Sequence, residues 1–157
     1  MSSLYVLLLA FLIGFLAGLR SLTPPAATAL AAHADWLKLP HLLAWFSSLP
    51  TAIILSLLAL FELVNDKLPK TPSRTVPMQV AARAITGGFA GACIAAAGAQ
   101  GAVMGVLLGI AGAMAGTFGG YHARRGLVKA TGAPDFVIAV AEDLVAIGGS
   151  LWVVSRF

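Results

Sequence analysis

Residues 102–122 read AVMGVLLGIAGAMAGTFGGYH, with no Asp, Glu, Lys or Arg among them. A hydrocarbon core of roughly 30 Å needs about 20 apolar residues in helical form. Lipid offers no hydrogen bonds, so a chain that enters it must satisfy its own backbone groups, which a helix does. The stretch therefore predicts a transmembrane helix. It also carries Gly105 and Gly109 after Gly101, then Gly112, Gly116 and Gly120. Steps of four keep each trio on one face, and small residues at that spacing let helix backbones approach closely. Three readings stand for these faces: packing against a neighbouring helix of the same chain, contact in a homo-oligomer, or a glycine-lined pore. No Lys-Ser/Thr pair follows the glycines, so they do not read as a phosphate-binding loop.

Working outward, the same arithmetic predicts about five spanning helices in a single domain over residues 1–157. Before the stretch, a tight turn at Gln100 and Gly101 follows a helix over about 78–98. After it, residues 123–134 are basic and are expected to leave the hydrocarbon. A final helix is expected over about 135–154, with Asp135 suiting the positive helix N-terminus. Another helix is expected over about 48–64, with Ser47 or Ser48 as its cap and Pro50 in its first turn. The first is expected over about 4–22, retained in the membrane because no Lys or Arg and no convincing cleavage site mark it as a signal peptide. Pro24 and Pro25 end it or break it, because two consecutive prolines remove two backbone donors. A discontinuous helix there would expose backbone groups able to bind ions or solutes. Residues Trp36, Lys38, Pro40, His41 and Trp45 read as an interfacial stretch.

Composition agrees. The chain is 59% hydrophobic and 10% charged, with a mean hydropathy of +0.93, against roughly 25% charged residues in soluble domains. The net charge of +4 resides largely in two loops, one with Lys67, Lys70 and Arg74, the other with Arg124, Arg125 and Lys129. That excludes a nucleic-acid face and fits cytoplasmic loops of an inner-membrane protein. Five crossings then put the N-terminus in the cytoplasm and the C-terminus outside. Arg124, Arg125 and Lys129 are also candidates for anionic lipid headgroups.

Ionisable groups in or beside the helices are the main functional pointers: Arg20, Glu62, Asp66, Arg83, Glu142 and Asp143. A charge in hydrocarbon costs at least about 2.5 kcal/mol and so turns to the bundle interior or to water. Glu62 and Asp66 share a helix face. In the five-helix reading all but Arg20 fall in the cytoplasmic half. Glu62 and Glu142 are expected to pair with Arg83 or Arg20 around a polar cavity admitting an ion or small solute. The plain alternative is a structural ion-pair network.

Other chemistry is poorly supplied. His33, His41, His122 and Cys93 lack metal-ligand spacing, and no cofactor or metal is expected. Cys93 reads as a small packing residue. Enzyme activity is not expected. Arg20-Ser21-Leu22-Thr23-Pro24-Pro25 is similar to Arg83-Ala84-Ile85-Thr86-Gly87-Gly88, a hint of internal duplication.

Three local patterns together resemble a family of small bacterial membrane proteins, domain of unknown function 4126. They are Gly18-Leu19-Arg20-Ser21 with Pro24, the run Phe61-Glu62-Leu63-Val64-Asn65-Asp66-Lys67-Leu68-Pro69, and Glu142-Asp143. The chain is richer in glycine over Gly112 to Gly120 than that pattern. The resemblance implies a helical membrane architecture and this choice of polar residues. It carries no activity. The leading functional expectation is a transporter or channel-like protein; the alternative is a lipid-binding or assembly protein of the membrane.

Overall fold

The computed structural model describes residues 1–67, 73 and 75–157. Pro69, Lys70 and Arg74 lie outside the described residues. Those described form six α-helices and one 3-10 helix, with no strand: α1 Ser3–Leu19, α2 Thr23–His33, the 3-10 helix His41–Ser47, α3 Leu49–Asn65, α4 Pro77–Ala97, α5 Ala102–Thr131 and α6 Asp135–Val154. Three of them, α4, α5 and α6, are long and apolar enough to cross a membrane, or up to four if the 3-10 helix and α3, bent by 57°, count as one span.

Local chemistry sets the ends. The Ser2 hydroxyl caps α1 by accepting from Tyr5 N–H, and the Ser48 hydroxyl caps α3 by accepting from Thr51 N–H. α6 starts at Asp135 directly after Pro134. α5 runs to Thr131, well past His122, which corrects the expectation that residues 123–134 form a loop. The basic run lowers hydropathy without breaking helical hydrogen bonding. The break comes at Gly132, whose φ of +67° supplies the left-handed cap.

The first segment differs most from expectation. α1 stops at Leu19, and α2 restarts at Thr23 as a separate helix. Pro24 and Pro25 lie inside the first turn of α2 and are buried. They do not break a helix; they begin one, where their fixed φ suits the turn and their missing N–H groups would be orphans anyway.

α5 is the centre of the bundle, packed against α1 and α4. Gly105 and Gly109 face the α4 backbone at Gly91 and Gly87, while Gly112 and Gly116 face the α1 backbone at Phe11 and Phe15. A Cβ on Gly109 would lie 2.2 Å from the Gly87 carbonyl oxygen. Gly120 is buried too. The two glycine faces thus serve two helices of one chain.

Helix directions follow from the contacts. Gly18 meets Ala113 and Thr117, and Gly14 meets Gly109, so α1 runs parallel to α5. Leu16 meets Gly149 and Arg20 meets Asp143, so α1 is antiparallel to α6. α2 turns back from the end of α1: Leu22 reaches Glu62 near the end of α3, and His33 reaches Ser47 just before α3 begins. Helices α1 and α2 therefore form a hairpin that enters and leaves at one end of the bundle. Its tip, Arg20 to Leu22, stops inside. Arg83 is six residues into α4 and Asp143 eight into α6, which sets the tip about 9–12 Å from the other end. The start of α1 and the end of α6 share one end of the bundle. Five alternating helices would set these two ends apart; α1 and α2 double back, so the bundle holds them together.

Candidate functional site

A helix end inside a bundle leaves backbone groups without partners. At the hairpin tip these groups meet charged side chains. On the α1 side, Arg83 Nη1 donates to the carbonyls of Gly18 (2.7 Å) and Leu19 (2.8 Å). Thr117 Oγ1 also donates to the Gly18 carbonyl, at 3.4 Å. On the α2 side, Glu62 accepts the N–H of Ser21 at 2.8 Å and the N–H of Leu22 at 2.8 Å, one on each carboxylate oxygen. The signs match the helix dipoles: a cation at the negative end of α1 and an anion at the positive end of α2. Pro24 and Pro25 have no N–H to satisfy.

Arg20 sits between these two sets and is fully buried. Its guanidinium binds Asp66 at the end of α3 through Nη1. It binds Asp143 of α6 through Nε (2.6 Å) and Nη2 (2.5 Å) to the same oxygen. The other Asp143 oxygen accepts from Lys67 Nζ at 2.5 Å, and Lys67 also donates to the Leu63 carbonyl. Three elements, the hairpin tip, the end of α3 and the middle of α6, are thereby joined by one ionic cluster. Asp66, Lys67 and Asp143 are 19%, 24% and 10% exposed in their side chains, so the cluster is reached from the end of the bundle opposite the chain termini.

A second group flanks it. Arg124 on the extended part of α5 pairs with Asp135 at 2.6 Å and with Glu142 at 3.5 Å. Arg125 and Lys129 are exposed on the same extension. Of the six acidic residues in the chain, all but Asp35 lie at or near this end.

The sequence-derived candidates are thus brought together, with different partners. Arg20 is not isolated toward the outer face, because α1 ends beside Asp66 and Asp143. Glu62 pairs with backbone N–H groups and not with a guanidinium. Arg20 is taken by Asp66 and Asp143, where Glu62 or Glu142 was the expected partner. Lys67 was read only as a loop cation. Its position next to Asp66 was the available signal for its place in the cluster.

An apolar groove of about 380 Å³ lies on the other side of the tip, between α2, the 3-10 helix, α3 and α4. Leu22 and Pro25 form its wall at the tip, and Trp45, Phe46 and Phe89 line it elsewhere. The three rings pack with centroids 4.8–6.0 Å apart.

No curated protein and no solved structure gives a significant match to this chain. One family model does match, over residues 7–155, and that range holds the hairpin tip, the charged cluster and all six α-helices except the first turn of α1. The chain belongs to the family described as domain of unknown function DUF4126.

Proposed function

We propose that this chain is a small transporter of the inner membrane in which the α1–α2 hairpin tip is the gate. The observation that carries this reading is Arg20, a fully buried cation at the tip of a hairpin that ends inside the bundle, held by carboxylates from two other elements. A purely structural tip needs only Glu62 and Arg83, which already satisfy its backbone. The Arg20 cluster adds a lock whose strength depends on the charge of Asp66 and Asp143. Loss of the Asp143 charge would weaken its pairs with Arg20 and Lys67 together and free the tip from α6. By the positive-inside rule, the end with Lys67, Arg124, Arg125 and Lys129 faces the cytoplasm, and both chain termini then face outward. Arg125 and Lys129 meet anionic lipid headgroups there.

The test is proton flux into liposomes carrying the purified protein and a trapped pH-sensitive dye, driven by a potassium diffusion potential. Flux above protein-free liposomes is expected, with Asp143→Asn and Glu62→Gln at background while both remain monodisperse. Wild-type flux equal to that of protein-free liposomes overturns the reading.

A further inference from the structure

We infer that Thr23 holds a water molecule inside the hairpin tip and that this water relays protons past it, which names the proton as the species moved and rests on the transport reading. Two observations carry the site. The first is the Thr23 hydroxyl. Thr23 is 6% exposed, its Oγ1 is buried, and among the described residues that oxygen has no hydrogen-bond partner. Other helical hydroxyls of the chain are satisfied locally: Thr28, Ser56, Thr86, Thr131 and Ser150 each donate to the carbonyl four residues back. For Thr23 that carbonyl belongs to Leu19, the last residue of α1, where it accepts from Arg83. The break between α1 and α2 and the Arg83 contact thus take the usual partner away.

The second is the backbone beside it. Glu62 accepts the N–H groups of Ser21 and Leu22, and the Ala26 N–H donates to the Leu22 carbonyl. Pro24 and Pro25 have no N–H. Among the described residues, the Thr23 N–H is the one left without an acceptor in the first turn of α2, which has no side-chain cap. Helical side chains tilt toward the helix N-terminus, so the hydroxyl leans to the same end as this N–H. A buried hydroxyl that can both donate and accept, beside an N–H without a partner, is the setting in which a protein binds an internal water. An anion would suit the helix end, but Glu62, on the two preceding N–H groups, already supplies that charge. Polar groups inside a membrane bundle mark proton relays. In a transfer through this water one O–H bond forms on its oxygen as another breaks, and the Thr23 hydroxyl is left unchanged.

Two substitutions in the full chain test this. Thr23→Val keeps the shape and removes the hydroxyl; Thr23→Ser keeps the hydroxyl. In the liposome assay Thr23→Val should lose proton flux about tenfold or more, and Thr23→Ser should keep most of it. Thr23→Val should melt no lower than wild type, because it removes a buried polar group that no protein atom satisfies. In labelled protein in detergent, the wild-type Thr23 amide should show an NMR cross-peak to water. Wild-type flux in Thr23→Val, or a Thr23 amide without that cross-peak, overturns the inference and leaves the transport reading. Lower melting in Thr23→Val but not in Thr23→Ser also overturns it, since the hydroxyl would then have a protein partner. A water cross-peak in a wild-type protein without flux overturns the relay together with the transport reading and leaves a structural water.

Discussion

Arg20 and Asp143 lie 123 residues apart in sequence, yet two guanidinium nitrogens of one sit 2.6 and 2.5 Å from a single carboxylate oxygen of the other. Arg20 is fully buried, so removing it would strand Asp66 without its partner and leave Asp143 with Lys67 alone. Losing one member of a buried pair typically costs about 3–5 kcal/mol. Arg20→Ala should lose stability on that scale in detergent unfolding. Arg20→Lys should recover only part, since a single ammonium cannot fork two carboxylates as a guanidinium does. An Arg20→Ala protein within about 1 kcal/mol of wild type would show that the cluster does not hold the tip.

Glu62 gives a second prediction. Both of its oxygens are used, one for each N–H of Ser21 and Leu22. Glutamine has one acceptor oxygen, and its amide nitrogen would face the other N–H. A buried donor left without an acceptor costs about 1–3 kcal/mol. Glu62→Gln should therefore lower thermal stability by that amount and speed hydrogen exchange at the Ser21 and Leu22 amides. Unchanged exchange at both amides would remove Glu62 from its capping role.

The glycines of α5 can be sorted by a paired test. A Cβ on Gly109 would meet the Gly87 carbonyl oxygen at 2.2 Å, while one on Gly119 would meet nothing within 4 Å. Gly109→Ala should force α4 and α5 apart and cost about 1–3 kcal/mol or more. Gly119→Ala should be neutral or stabilising by up to about 1 kcal/mol, because alanine is the better helix former. Equal effects at the two positions would mean that close backbone approach is not what α5 contributes.

How much of this was legible beforehand depends on the range of the interaction. The span of α6 was readable because hydropathy and the Pro134-Asp135 start signal are local. The length of α5 was misread because hydropathy drops at Arg124 and Arg125, although helix formation tolerates both. Gly132 was the better marker, since only its left-handed cap ends the hydrogen bonding. Pro24-Pro25 read as a stop when it is a start, because the same fixed φ and missing N–H that end one helix suit the first turn of the next. Within the site, the residue types were legible and the pairing was not. Glu142 and Asp143 are neighbours, and which of them faces Arg20 depends on how α1 packs on α6, a relation with no local signal.

The hairpin itself makes the last prediction. If α1 crossed the bilayer alone, the count of crossings would put the N-terminus at the basic end. The contacts give a different answer: Val6 lies against Gly98 at the end of α4, and Leu16 against Gly149 in α6, so α1 starts beside the ends of α4 and α6. The basic residues Arg125 and Lys129 lie past the opposite end, on the extension of α5. Single cysteines placed at Ser3, Ser155 and Lys129 of a Cys93→Ala protein should therefore divide into two classes toward a membrane-impermeant maleimide applied to intact cells. Ser3→Cys and Ser155→Cys should label together, and Lys129→Cys only after the membrane is opened. Labelling of Ser3→Cys with Lys129→Cys would mean that the first segment spans the bilayer. The tip at Arg20 would then no longer be a hairpin end, and the gate proposed for it would have no hinge on which to move.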